Sequence, residues 1–161
     1  FKRRPKTFLV FIDLRKAFDT VNRAKLLTTM LDRGYDRTVV RAYREFVNGM
    51  ALTVASAPGR GALGQSSGQR VETTIGVVQG GVTSPLTFAI AIDPLLQELN
   101  KLCPTLALAD DIVAVVDGEW RLNTFIQRLH SLCIQYGFRI NKSKSALIQV
   151  RKDRRQPART G

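Results

Sequence analysis

The sequence predicts an α+β fold of the ferredoxin-like, split βαβ kind: an antiparallel sheet with helices packed on one face, and an inserted β-hairpin. Three observations carry that expectation. Short apolar runs recur at 7–12, which is rich in Val, Ile and Phe, and at 105–109, 112–116 and 145–150, and such runs suit strands. The segments between them carry apolar residues three and four apart, as helices laid on a sheet require. Once the segment 50–75 is set aside, the order of elements reduces to βαββαβ. The 161 residues, 44% hydrophobic and 24% charged, are enough for one globular domain with its own core.

Residues 1–6 are a basic lead-in with no element of their own. The chain opens on Phe1 rather than Met and is expected to be a piece of something longer. The run 7–12 is the first strand and ends at Asp13. From about Ala17 the period changes. Phe18, Val21, Leu26, Leu27, Met30 and Leu31 share one helical face, which Gly34 stops at a C-cap position. Asp36 is placed to cap a second helix carrying Val39, Val40, Tyr43, Phe46 and Val47, closed by Asn48-Gly49. Residues 50–56 and 69–75 alternate like strands around a glycine-rich loop at 58–68 and read as a long hairpin. Ser84-Pro85 opens a strongly apolar helix through about Leu102, with the proline early, where its missing N–H costs nothing. Cys103-Pro104 ends it. Two short strands then flank Asp110-Asp111, a helix over 119–136 stops at Gly137, and a last strand runs over 145–150. The expected organisation is a lead-in over 1–6, a folded region over 7–150, and a basic tail containing Pro and Gly over 151–161.

Composition narrows the chemistry. The apolar runs fall far short of the roughly 18–20 residues that span a bilayer, so no membrane partner is expected. Cys103 and Cys133 form no CxxC pair and His130 is the only histidine, which excludes zinc fingers, Cys/His metal clusters and disulfide frameworks. The two cysteines read as buried free thiols, which fits an intracellular reducing compartment. Lys and Arg number 25 against 13 Asp and Glu, a formal net charge of +12. Catalysis must therefore rest mainly on carboxylates, and the basic excess implies a polyanionic partner.

Asp110-Asp111 is the odd feature. Two carboxylates sit between apolar strands, where a hairpin turn ordinarily takes Asn-Gly or Asp-Gly. Like charges side by side near a buried surface repel unless a cation neutralises them. A simple exposed turn is the plain alternative, but no glycine is present and a third carboxylate, Asp13, ends an equally apolar strand. In a split βαβ sheet the first and third core strands are central neighbours, so Asp13 is expected beside the hairpin turn. Three carboxylates at a sheet edge suit Mg²⁺ or Mn²⁺, which keep waters and bind substrate phosphates. Two such ions can hold the attacking and leaving oxygens of an in-line phosphoryl displacement. With a basic field for a nucleic-acid backbone, this points to nucleotidyl transfer.

Four segments carry a resemblance. Phe11-Ile12-Asp13-Leu14-Arg15-Lys16-Ala17-Phe18-Asp19, Gly76-Val77-Val78-Gln79-Gly80-Gly81-Val82-Thr83-Ser84-Pro85-Leu86, Leu108-Ala109-Asp110-Asp111 and Gly137-Phe138-Arg139-Ile140-Asn141-Lys142-Ser143-Lys144 stand in that order. The chain resembles the palm of reverse transcriptases, especially those of non-LTR retrotransposons and group II introns. The resemblance implies an RNA-directed DNA polymerase palm that adds dNTPs to a primer 3′-OH on an RNA template. It implies two Mg²⁺ ions, for which Mn²⁺ can substitute, held by Asp13, Asp110 and Asp111 with the Leu14 carbonyl. Backbone amides of Arg15, Lys16 and Ala17, at a helix start, would face the triphosphate. Phe18 is similar to the bulky residue that lies under the sugar and excludes a 2′-OH; its alternative is a core residue at the helix start. Gln79 is similar to the glutamine that meets the incoming nucleotide, with an ordinary loop residue as the alternative. Gly80 and Gly81 would admit the nascent base pair and template, or simply form a turn. Ser84, Pro85 and Leu108 fall on the nucleic-acid side, and Lys144 matches a lysine that protonates the leaving pyrophosphate.

Two departures from the family pattern stand out. Leu108 takes the place of an aromatic residue near the primer end, and Gly81-Val82-Thr83 replaces a commoner sequence at the template contact. The fingers and thumb of the family would lie outside this chain, which is therefore expected to be inactive alone. The competing reading is a non-catalytic, reverse-transcriptase-derived RNA-binding or assembly subunit gripping phosphates with its basic ends. An RNA-recognition module on the same frame would need stacking aromatics where Asp110-Asp111 stand. A nucleotide cyclase would need a Gly-Gly-Asp/Glu-Glu-Phe hairpin that is not present.

Overall fold

In the computed structural model, which describes residues 6–49, 51–54, 69–77 and 80–150, the elements run β1 (Thr7–Asp13), α1 (Ala17–Thr20), α2 (Arg23–Asp32), α3 (Arg37–Asn48), β2 (Ala51–Val54), β3 (Gln69–Glu72), α4 (Ser84–Asn100), β4 (Thr105–Leu108), β5 (Asp111–Asp117), α5 (Glu119–Tyr136) and β6 (Ala146–Val150). They fall into two compact units, 1–17 with 93–161 and 18–92. The glycine-rich loop at 58–68, most of the lead-in and the tail over 151–161 lie outside the described residues. No helix among the described residues is long and apolar enough to cross a membrane.

The first unit is built on a four-stranded antiparallel sheet of order β4-β5-β1-β6. Strand side chains alternate between faces, and β1 uses that alternation strictly. Phe8, Val10 and Ile12 are buried, and they stand opposite the buried Val116, Ala114 and Ile112 of β5. Asp13 therefore belongs to the other face, as does its register partner Asp111. A one-residue slip would drive both carboxylates into the core, so the apolar pattern itself fixes where the charges emerge. On α5, which packs on β5, Leu122, Phe125, Leu129, Leu132 and Cys133 are buried at helical spacing. Gly137 ends that helix at φ +84°, a left-handed cap that glycine adopts without strain.

The second unit holds α2, α3 and the β2–β3 hairpin, whose register runs from Ala51↔Glu72 to Val54↔Gln69. The single helix expected from Ala17 is two. Asn22 breaks it, because its side chain accepts the Lys25 N–H at 3.0 Å and caps α2. Asp36 caps α3 as expected, accepting from the Thr38 N–H at 2.7 Å. The buried stripe of α3 is narrower than its sequence suggests: Val40 and Val47 are inside, whereas Val39 and Phe46 are exposed. Burial requires a facing neighbour, which periodicity cannot supply.

Arg23, only 6% exposed, ties this unit together. Its Nε donates to the Gly76 carbonyl and Nη1 to the Val47 carbonyl, each at 2.8 Å. The Thr73 carbonyl and hydroxyl receive the rest of the fork. The Gly76 N–H returns to the Val21 carbonyl and the Val77 N–H to the Phe18 carbonyl. Gly76 sits at φ +83°, and a Cβ there would lie 2.8 Å from the Asp19 carbonyl oxygen, so only glycine allows this approach.

Candidate active site

Of the three carboxylates expected to gather, Asp13 and Asp111 meet through the strand register, and Asp110 lies in the adjoining turn. Asp13, last in β1, and Asp111, first in β5, are direct register partners. Residues directly opposite in an antiparallel pair present their side chains on one face about 5 Å apart. The turn between β4 and β5 is shifted by one position from expectation: Ala109-Asp110 is the loop, and Asp111 already pairs with Leu108. The shift arises because β5 continues its apolar alternation back to Asp111, so the strand claims that residue. Asp110 is half-buried in the turn. Ala109 takes φ +53°, and Lys16 takes φ +50°. These are the only non-glycine residues with positive φ among the described residues, and each lies within a few positions of a carboxylate. Such backbone costs about 1–3 kcal/mol per residue and persists where surrounding structure imposes it.

Lys144 completes the group. Its Nζ lies 3.9 Å from Asp13 Oδ1, with the lysine side chain 71% exposed and that of Asp13 only 18%. An ion pair this open contributes little to stability. Its value is proximity: an exposed ammonium stands beside a carboxylate. The main chain of Asp13 is held by the turn 141–145 that carries Lys144: Asn141 N–H donates to the Asp13 carbonyl at 2.8 Å and the Asp13 N–H donates to Ser145 Oγ at 3.2 Å.

Leu14 is buried and forms an isolated bridge with Ile140. Flanking residues make its hydrogen bonds, Arg15 N–H to the Arg139 carbonyl at 2.7 Å and Asn141 N–H to the Asp13 carbonyl. The Leu14 carbonyl is not used by that bridge. The Arg15 amide is used, which removes it from the set expected to face a triphosphate. The helix expected there is α1, a single turn of 4 residues, too short to supply a useful dipole. What that stretch offers instead is the exposed Arg15 and Lys16 side chains, with Ala17 buried. Leu108 closes β4 at 83% exposure, and Leu106, at 78%, shares its sheet face.

The remaining expected site residues belong to the second unit. Phe18 is half-buried and stacks on Phe88 at 4.5 Å between ring centroids. Gly80 is exposed at φ +81°, Gly81 accepts the Ser84 N–H at 3.1 Å, and Ser84-Pro85 starts α4. Gln79 lies outside the described residues. Sequence reasoning missed Arg23 as an organiser and Ser145 as a partner of Asp13. Arg23 could have been noticed, since it precedes Leu26 and Met30 on the same helical stripe.

Among the described residues, no three His, Cys, Asp or Glu side chains stand close enough for an all-protein metal cage. Magnesium does not need one, because it takes one or two carboxylates and fills its octahedron with water and phosphate oxygens. The Asp13–Asp111 face offers that hard oxygen set, and the donors present fit the ion. An α+β domain whose sheet end presents paired carboxylates is suited to divalent-metal phosphoryl chemistry.

Comparison with known proteins narrows the class. Residues 1–156 match the family described as reverse transcriptase (RNA-dependent DNA polymerase), and the chain belongs to that family. It is similar to the retrovirus-related Pol polyprotein of the type-1 retrotransposable element R2 from Popillia japonica, with 27% identity over 92% of this chain and 22% of that protein. A putative 115 kDa protein of the type-1 element R1DM from Drosophila melanogaster is 34% identical over 69% of this chain and 10% of its own length. The chain thus spans a minor part of these relatives, and over that span it is a reverse transcriptase domain similar to those of type-1 retrotransposable elements. Apo telomerase of Candida tropicalis, truncated from its C-terminal domain, shares the fold with a TM-score of 0.74 at 16% identity over 96% of this chain and 32% of its own. Telomerase of the same species with a TWJ fragment of telomeric RNA gives 0.66 at 15% identity over 92% of this chain and 26% of its own. Reverse transcriptases generally use a divalent metal.

Proposed function

We propose that residues 7–150 form a ferredoxin-like, split βαβ polymerase palm with an inserted hairpin, and that its activity is RNA-directed DNA synthesis. Asp13 and Asp110 would hold two Mg²⁺ ions, Asp111 would complete or support the site, and the Leu14 carbonyl would add a ligand. Bound there, the ions would neutralise the triphosphate and polarise the primer 3′-OH for in-line attack. The chain's own residues supply the rest. Lys144, whose ammonium lies 3.9 Å from Asp13 Oδ1, would give a proton to the departing pyrophosphate. Arg15 and Lys16 contribute positive side chains toward nucleotide phosphates. Phe18, held against Phe88, would bar a ribose 2′-OH, and Gln79 with Gly80 would meet the incoming dNTP. Gly81, Ser84, Pro85 and Leu108 would contact template and primer. Fingers and thumb would come from the rest of the protein or from a separate subunit, without which this palm would not extend a primer.

The observation that supports this reading most is the β1–β5 register, which sets Asp13 opposite Asp111 on the face away from the core. In the full-length polypeptide, Asp110→Ala is expected to lower Mg²⁺-dependent primer extension by roughly 10³-fold or more, because metal-held charge stabilisation is lost. RNA affinity should stay within about twofold, since phosphate contacts carry it. Extension surviving the change contradicts the site. A wild-type protein that binds RNA equally with and without Mg²⁺ and never extends a primer would instead be a non-catalytic RNA-binding descendant.

A further inference from the structure

Asp13 sits where the ladder on one edge of β1 ends. β6 pairs with β1 only as far as Phe11↔Ala146, so the strand itself gives Asp13 no partner on that edge. The turn leading into β6 does. Asn141 N–H donates to the Asp13 carbonyl at 2.8 Å, the Asp13 N–H donates to Ser145 Oγ at 3.2 Å, and the same hydroxyl donates to the Asn141 carbonyl at 2.9 Å. The three bonds close a ring. Ser145 is its one side-chain member, and with its single proton directed to Asn141 a lone pair is left facing the Asp13 amide. Ser143 Oγ fastens the turn by donating to Asn141 Oδ1 at 2.8 Å. Lys144 lies between these serines, its N–H on the Asn141 carbonyl at 3.2 Å and its ammonium 3.9 Å from Asp13 Oδ1.

Resting on the function proposed above, we infer that Ser145 is a positioning residue of the metal site. Its hydroxyl fixes the Asp13 main chain, and through it the aim of the carboxylate and its distance from Lys144. The physical reason is the geometry of hydrogen bonding at a strand end. An unpartnered part-buried N–H drives the backbone to rotate toward water, and the carboxylate on the same residue turns with it. One hydroxyl thus couples the carboxylate that would hold metal to the ammonium that would act as acid. Partners of this kind, bonded to a ligand rather than to the metal, typically alter metal affinity or activity by about 10–100-fold when removed.

Ser145→Thr and Ser145→Val separate the hydroxyl from shape, since the two side chains are nearly isosteric. The experiment uses the full-length polypeptide, with Asp13→Ala as reference, and follows two readouts. One is kcat and dNTP KM for primer extension; the other is Mn²⁺ affinity by electron paramagnetic resonance without nucleotide. Ser145→Val is expected to lower kcat and weaken Mn²⁺ binding about 10–100-fold while dNTP KM stays within about threefold, and Ser145→Thr should keep all three near wild type. Equal kcat and Mn²⁺ affinity in the valine and threonine variants would overturn the inference. So would a fall in melting temperature with both readouts intact, which would mark the bond as structural only. If the valine variant does not fold, Ser145→Ala is read by the same two criteria. Extension or Mn²⁺ binding that survives Asp13→Ala overturns the underlying function instead, so the two failures are distinguishable.

Discussion

Arg23 and Asp13 are both charged side chains withdrawn from water, and the molecule treats them in opposite ways. Arg23 is surrounded by its own chain: the Gly76, Val47 and Thr73 carbonyls and the Thr73 hydroxyl take up its guanidinium fork. Asp13 has its main chain engaged on the β6 edge, but among the described residues its carboxylate meets a solvent-exposed lysine at 3.9 Å and, across the ladder, another aspartate. A charge saturated by internal partners serves the fold. A charge whose backbone is fixed while its head group stays under-partnered is ready for something that arrives from outside.

The comparison breaks most easily at Arg23. Replacing it with Met removes the fork and leaves buried carbonyls without donors, a loss of about 3–5 kcal/mol. Urea denaturation of the full-length protein measures it, and a variant as stable as wild type would mean that the fork is not structural. Cys133 sharpens the contrast, being a free thiol that is buried. Burial pushes its thiol from 9.0 up to about 11. Between those values the unfolded chain releases a proton that the folded one retains, so this thiol's contribution to stability is level below about pH 9 and falls by about 2–3 kcal/mol toward pH 11. Cys133→Ala should flatten that alkaline slope, and a slope that persists in the variant would place its origin elsewhere. The smallest effect is at the sheet end. Like charges directly opposite on neighbouring strands repel, so Asp111→Asn should stabilise the fold by about 0.3–1 kcal/mol even as it lowers primer extension. A destabilised Asp111→Asn would place this aspartate with Arg23, among the structural charges.

These two positions also mark how far the sequence could be read. The strands were legible because the runs 7–12 and 112–116 are short, almost continuously apolar and rich in β-branched and aromatic residues, whereas the alternation that buries Phe8, Val10 and Ile12 emerges only from the ladder. The carboxylate pair was legible because Asp110-Asp111 violates ordinary turn chemistry. The break at Asn22 was hidden, since α1 and α2 keep a nearly continuous helical period across it, and only the cap reveals the interruption. The roles of Ser145 and Arg23 were hidden for a different reason, although the place of Arg23 on an apolar stripe was visible. The groups they meet are main-chain atoms distant along the chain, the donating Asp13 N–H and the accepting Gly76 carbonyl, and a main-chain partner leaves no mark on residue identity.

Localised cleavage by bound iron tests the central claim most directly. Fe²⁺ replaces Mg²⁺ at carboxylate sites, and with ascorbate and peroxide it cuts the nearest backbone. In the full-length polypeptide, cuts are expected close to residue 13 and to residues 110–111, suppressed by excess Mg²⁺ and lost in Asp13→Ala. Cuts confined to other parts of the chain, or cuts at these positions that persist in Asp13→Ala, would contradict the assignment of this sheet end as the metal site.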